Sequence, residues 1–587
     1  MTNFFKFVFA SCLGVFLAGI VMFSLSFLVL GRMASSLDSP KKVNANTVLT
    51  LDFSAPIPEK TNNLPVDPYS FETESIIGLH DIAAAIKHAK SNDNIKGVFL
   101  DLGNVSTGRA SAKVIREALE DFKSDGKFVI SNAKYYTQGS YYLASVADKI
   151  YVNPLGSVDF RGFSSQVPFF KDMLDRLGIK MQVYYAGQFK SATEPFRRYD
   201  MSPQNKTQVR AYLEEMYGLY LDEIAQSRDI STTELRDIAN GYKVRDADDA
   251  IQYKLVDDKL YRDQILDDIR TRLGIEKDAK IKSISVEEYG KGNKFKKDFS
   301  VKDKIAVVFA EGSVVDGVGE EGNIGGDKYA KIIRKLRNND KIKAIVVRVN
   351  SGGGSGLASD IMWRELQLAK EQGIPIVASM GDLAASGGYY IACNADSIFA
   401  EPNTITGSIG VFGMIPSLQN MLKDKVGVTF DSVKTGPYAI GLNPFFDIND
   451  KEGKIIQNGV EEFYEIFLKR VADGRSMSRE EVHEVAQGRV WTGAKAKELG
   501  LVDKLGGLDE AIASAASLAG LEKYRISEYP VVKEPIEKLV DQFTGKKKTS
   551  YVIQNELGDL YPYYEHIKCL KEMKGVQARL PFIIESY

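Results

Sequence analysis

Histidine and cysteine are scarce in this chain, and the scarcity excludes much. Only four histidines occur in 587 residues, His80, His88, His483 and His566. None has the spacing of metal ligands or of a catalytic triad, so the usual base for a serine or cysteine nucleophile is missing. The three cysteines, Cys12, Cys393 and Cys569, lie far apart and support neither a disulfide framework nor a metal cluster. Charge of one sign is also lacking. Seventy-six Lys and Arg against 78 Asp and Glu leave a net charge of -2, which supplies no basic field for nucleic acid. No residue pattern implies a metal or an organic cofactor.

What is present is an ordinary globular composition, 44% hydrophobic and 26% charged, in a chain long enough for two to four cores. Phe7 to Leu30 is a run of 24 uncharged residues flanked by Lys6 and Arg32, long enough to span a bilayer. It reads as an uncleaved anchor, with cleavage near Ala34, Ser35 and Ser36 as the alternative. Lys6 and the amino terminus place the body outside the cytoplasm, partly offset by Arg32, Lys41 and Lys42.

One large internal repeat organises the rest. SNAKYYTQGSYYLASVADKIYVNP, starting at Ser131, lies 248 positions before SMGDLAASGGYYIACNADSIFAEP, starting at Ser379. Gly139, Tyr141, Tyr142, Ala147, Asp148 and Pro154 recur as Gly387, Tyr389, Tyr390, Ala395, Asp396 and Pro402. The apolar runs near Val48 and Val98 answer those at Ile305 and Ile345 and read as buried strands. Val209, Leu213, Met216 and Tyr220 match Ile456, Val460, Phe463 and Phe467 at helical spacing, and Ser202-Pro203 is a helix start signal. Strands alternating with helices predict an α/β fold with mainly parallel pairing. The expected division is an anchor and linker over 1–43, repeats over 44–300 and 301–529, and a tail over 530–587.

A duplicated fold keeps packing residues in both copies, so positions that are reactive in one copy and inert in the other are candidates for chemistry. Ser386 faces Gln138, the glycine-rich Asn350–Ser355 faces the region Gly103–Thr107, and Lys190 faces Ala439. Each half keeps one reactive residue and has lost the other, which predicts one composite site. A serine hydroxyl needs a base, and a lysine serves if an apolar setting, here Phe189, Ala192 and Phe196, keeps it neutral by lowering its pKa from about 10.4. The developing oxyanion needs fixed N–H donors, and Gly353 and Gly387 are the candidates. Each signal has a plainer reading when taken alone. Ser386 beside two glycines is also a tight turn, Lys190 a solvated side chain, and the triple glycine a phosphate loop, although no Gly-Lys-Ser/Thr follows it.

At these residues the chain resembles the signal peptide peptidase A family in its long, two-repeat form, part of the Clp protease and crotonase superfamily. The motifs are Phe189–Phe196, Asn350–Ser355, Leu383–Tyr390 and Thr406–Gly413. The resemblance implies two tandem repeats of that fold after one transmembrane helix, with Ser386 as nucleophile and Lys190 as general base. It implies that Ser408 orients Lys190, at a position where the first half has Phe160, and that Gly353 lies at the oxyanion hole. One departure is Gly352, where the family has proline. Family membership further implies a homotetramer on the outer face of the bacterial cytoplasmic membrane, acting on extended apolar peptides such as cleaved signal peptides. Two alternatives stay open: a crotonase-like acyl-CoA enzyme, which uses a similar pair of backbone N–H groups, and a non-enzymatic membrane scaffold of the same fold. The tail, with Lys546–Lys548, Tyr561 and an apolar stretch over Leu580–Ile584, is expected on a neighbouring subunit or near the groove.

Overall fold

The computed structural model describes residues 43–53, 55–61, 77–292, 300–531 and 575–580, with isolated helical positions between 4 and 22. Among the described residues no helix is long and apolar enough to cross a membrane. Most of the expected anchor over 7–30 lies outside the described residues, as do Cys12, Cys569, His566 and all of the tail except 530, 531 and 575–580.

The runs at Val48 and Val98 form adjacent parallel strands, Thr47–Leu51 and Ile95–Asp101. They belong to a six-stranded parallel sheet that continues through Phe128–Ala133, Lys149–Val152 and Asp258–Lys259, with Lys282–Ser285 on its other side. The runs at Ile305 and Ile345 do the same in the second half, where Lys304–Glu311, Ile342–Ser351 and Ile376–Ala385 pair in parallel. Ser397–Ala400, Lys504–Leu505 and Arg525–Tyr529 complete the matching order. Near-continuous burial along these strands is what a sheet covered on both faces demands. Each half has its own apolar core, one around Val98, Ile115 and Tyr141, the other around Ile345, Met362 and Tyr389.

The matched helical periodicities form two long helices, Pro203–Arg228 and Asp450–Arg475. The Ser202 hydroxyl caps the first by accepting from the Asn205 N–H, as the Ser-Pro start signal requires.

A strand pairing and a buried ion pair are among the contacts that lock the halves together. Strand Lys180–Ala186 of the first half pairs antiparallel with Val411–Ser417 of the second, Ala186 opposite Val411. Arg348, on the buried strand Ile342–Ser351, donates to the Glu59 carboxylate at 2.9 and 3.1 Å, with both side chains out of solvent.

Candidate active site

The site begins with strand register. Ile376–Ala385 and Ile405–Gly407 run parallel, with Ala385 opposite Gly407. The next residues, Ser386 and Ser408, therefore leave the sheet side by side. The Ser386 N–H donates to Gly407 O at 2.8 Å, and the Ser408 N–H to Arg489 O at 2.6 Å. Ser386 sits at φ 55°, ψ -115°, and Ser408 at φ 50°. Non-glycine residues held there cost about 1–3 kcal/mol each and persist where the surroundings enforce them. Here a strand end on one side and the helix Gly387–Ala392 on the other do so.

Lys190 arrives from the other half. Because Ala186 lies opposite Val411, the loop four residues beyond Ala186 reaches the same end of the sheet as the loop three residues before Val411. The turn at Gln487–Gly488 then clamps it. The Phe189 N–H donates to Gln487 O at 2.9 Å, and a Cβ added to Gly488, at φ 77°, would lie 2.7 Å from Lys190 Cα. Gln208, fully buried on the helix Pro203–Arg228, ties the two together. Its Nε2 donates to Phe189 O at 3.1 Å and to Ser191 Oγ at 2.9 Å, while its Oε1 accepts from the Val490 N–H at 3.2 Å.

The result is a dry triad of polar side chains. Lys190 Nζ lies 2.8 Å from Ser386 Oγ, 3.1 Å from Ser408 Oγ and 3.2 Å from Ser408 O. Lys190 is 1% exposed and both serines 0%. Burial pulls the Lys190 ammonium well below its ordinary pKa of 10.5, because the charged form loses its hydration. Of the three side chains expected to dry the lysine, Ala192 and Phe196 join Phe412 and Met414 in an apolar cluster, whereas Phe189 lies 5.1 Å from the Arg489 guanidinium. The described histidines are engaged elsewhere: His88 with Tyr289, His483 with Tyr464 and His80 near Asp509.

The triple-glycine segment is a short strand, Gly353–Ser355, ahead of the helix Gly356–Glu371. Gly353, at φ 93°, passes so close to the Ser386–Gly387 turn that an added Cβ would stand 2.6 Å from the Gly387 nitrogen. The Gly353 N–H itself donates to Ser351 Oγ at 3.1 Å. Gly353 thus supplies close approach, and the next glycine, Gly354, pairs across the cleft with Ala578 of the chain's C-terminal segment. Beside this cleft is a cavity of about 310 Å³, lined among others by Phe163, Met201, Val209 and Leu213.

The first half shows what the site looks like without chemistry. Gln138, at the place of Ser386, accepts from the Gly162 N–H and donates to Gly162 O, both at 3.0 Å. Phe160, at the place of Ser408, is buried against Tyr141 and Tyr220. Ala439, at the place of Lys190, is exposed. Reading by difference found Ser386 and Lys190, the family resemblance added Ser408, and the structure brings all three together. It missed Gln208, Gly354 and the Gln487–Gly488 turn. The first is one more polar residue on an amphipathic helix, and the others act through backbone.

Comparison with known proteins agrees with a serine-type peptidase. The model of peptidase family S49 matches residues 121–276 and again 368–522, once in each repeat. Protease 4 of Salmonella typhi is 38% identical over 476 residues, 80% of this chain and 76% of that one. Protease 4 of Haemophilus influenzae is 39% identical over 451 residues, 75% and 73% of the two chains. The chloroplastic serine protease SPPA of Arabidopsis thaliana is 29% identical over 553 residues, 93% and 79%. The chain belongs to peptidase family S49, as a two-repeat member of the signal peptide peptidase A group.

Proposed function

We propose that this serine peptidase works by a Ser386/Lys190 dyad divided between its repeats. The observation that carries the reading is the 2.8 Å approach of a fully buried, desolvated lysine nitrogen to the hydroxyl of a serine on a strained turn. A neutral amine has two N–H donors and one lone pair. With the donors directed to Ser408 O and Ser408 Oγ, the lone pair faces the Ser386 hydroxyl, which is how Ser408 orients the base. Ser386 Oγ attacks the peptide carbonyl carbon while Lys190 takes its proton. The C–N bond breaks, the proton passes to the departing amine, and water then releases the acyl group by the same route. The N–H groups of Gly354 and Gly387 receive the oxyanion, with Gly353 providing the room between them.

The substrates are extended, apolar peptides, in particular cleaved signal peptides left in a membrane. An extended chain suits a cleft edged by strands, and the cavity beside it offers Phe163, Met201, Val209 and Leu213 to apolar side chains, with Lys206, Arg210 and Glu214 also on its wall. Residues 7–30 hold the protein in the bacterial cytoplasmic membrane with the body on the outer side, and four copies assemble. The test is hydrolysis of a fluorogenic apolar peptide by wild type, Ser386→Ala and Lys190→Ala across pH. Both variants should lose turnover, and wild-type activity should rise with pH as Lys190 loses its proton. Full activity in Lys190→Ala would overturn the dyad.

A further inference from the structure

The cavity beside the cleft is walled by one face of the helix Pro203–Arg228, on which Lys206, Arg210, Leu213 and Tyr217 recur at intervals of three and four. The opposite face carries Gln208, which ties down the Lys190 loop. Val209 also lines the cavity, and it packs in one apolar cluster with Ala385, the residue before Ser386. The cavity therefore adjoins the strand end that carries Ser386, and the helix that helps seat Lys190 shapes its wall.

Two of the charged groups on this wall are already answered. Lys206 pairs with Asp200 at 3.3 Å and Glu214 with Arg236 at 3.4 Å. Arg210 is exposed and forms no ion pair among the described residues. Tyr217 is 7% exposed, and its hydroxyl has no hydrogen-bond partner among them. The Phe163 ring lies 4.2 Å from the buried Arg109 guanidinium, whose Nε and Nη2 are likewise unpartnered. Buried donors without acceptors are costly, and positive charge with no carboxylate beside it draws an anion. The remaining wall residues, Phe163, Met201, Val209 and Leu213, are apolar, so the body attached to that anion is apolar too.

We propose that this cavity binds the free carboxylate at the end of an apolar peptide, with the Arg210 guanidinium and the Tyr217 hydroxyl as its donors. A guanidinium takes a carboxylate through two N–H bonds, and the same cation repels the ammonium at a peptide's other end. The polarity of the cleft agrees, for a chain running antiparallel to Gly353–Ser355 meets the apolar cluster of Val209 and Ala385 on its carboxyl side. The inference deepens the function proposed above and rests on the dyad for the cleavage that follows binding. It supplies a means of selection. A peptide already cut loose from its parent chain has a carboxylate to offer, whereas the same apolar sequence inside an intact membrane protein has none.

The test compares two fluorescent peptides of one apolar sequence, one ending in a free carboxylate and the other in a carboxamide. Binding to the full chain carrying Ser386→Ala, purified in detergent, is read by fluorescence anisotropy, and hydrolysis by wild type is read by chromatography. The acid should bind about tenfold more tightly than the amide and show the lower KM. Arg210 is exposed, so Arg210→Gln keeps the fold, and in the Ser386→Ala background it should bring the acid down to the amide. Equal binding of acid and amide overturns the proposal, as does a preference undiminished by Arg210→Gln. Dodecanoate that inhibits wild type but not Arg210→Gln, with both peptides bound alike, assigns the cavity to a fatty acid and overturns it too. A preference for the acid in binding, with neither peptide hydrolysed by wild type, supports the carboxylate site and shows that the dyad reading has failed.

Discussion

Replacing Ser408 by alanine removes one of the three polar contacts of Lys190 Nζ, the one at 3.1 Å, and leaves the Ser408 carbonyl at 3.2 Å in place. The base is then held by one N–H bond where it had two, and its lone pair is free to turn away from Ser386. Losing a hydrogen bond in a buried site costs about 1–3 kcal/mol. At tenfold per roughly 1.4 kcal/mol, kcat/KM should fall about 5- to 150-fold. The pH profile should move as well. Ser408 Oγ is an acceptor that favours the ammonium form, so its loss lowers the Lys190 pKa further and shifts the acid limb of the activity profile to lower pH. Peptide hydrolysis across pH measures both effects. Ser408→Gly is the companion variant, because it keeps the carbonyl but relieves a left-handed backbone at φ 50°. It should lose activity to the same degree while unfolding at higher denaturant than Ser408→Ala. A fall of less than about twofold in both variants, with the acid limb unmoved, would refute the orienting role.

Lys190→Met should cut turnover by about 10² to 10⁴ and yet stabilise the fold, since a buried amine is replaced by an apolar chain of similar length. The folded-state pKa of Lys190 lies below its unfolded value, so its penalty is absent above the unfolded pKa and grows as pH falls towards the folded one. Urea unfolding should therefore show the advantage of Lys190→Met at pH 7 shrinking as pH approaches 10. Gly353→Ala forces a Cβ to 2.1 Å from Ala578 O and 2.6 Å from the Gly387 nitrogen. Fluorophosphonate labelling should slow at least tenfold, whereas Gly103→Ala, whose Cβ meets nothing within 4 Å, should label normally. Arg348→Met leaves Glu59 buried without its partner and should lower the unfolding free energy by about 3–5 kcal/mol, read from denaturant melts. Burial and the nearby Glu59 push the Glu311 carboxyl up to about 7. Its contribution is thus present below the unfolded carboxyl pKa and lost as pH rises through 7, so Glu311→Gln should flatten that part of the stability profile.

The repeat was legible because strands and helices covered on both faces demand the same buried side chains in both copies, as at Tyr141 and Tyr389. Ser386 and Lys190 were legible as departures from that likeness, each a reactive group where the other copy has an inert one, whereas Ser408 was legible through the family resemblance, with Phe160 at its place in the first half. The Ser202 cap was readable from local chemistry alone. What escaped was contact made by main chain. Gly354 opposite Ala578 and Gln487 against Phe189 depend on register and carbonyl direction, which side-chain patterns do not encode. The strand Gln577–Arg579 is too short for any periodicity, and its place in the sheet comes from the two edges waiting for it.

The pairing of Lys180–Ala186 with Val411–Ser417 joins residues more than 220 positions apart, and with the Gln487–Gly488 turn and Gln208 it brings Lys190 to Ser386. During synthesis the lysine-bearing half emerges first and has no serine to activate; the serine follows nearly two hundred residues later. On the dyad proposed above, such a protease is harmless to nascent chains around it, its own included, until both halves have folded and closed on each other. Dividing the proposed dyad across the duplication makes completion of the fold the switch that turns hydrolysis on.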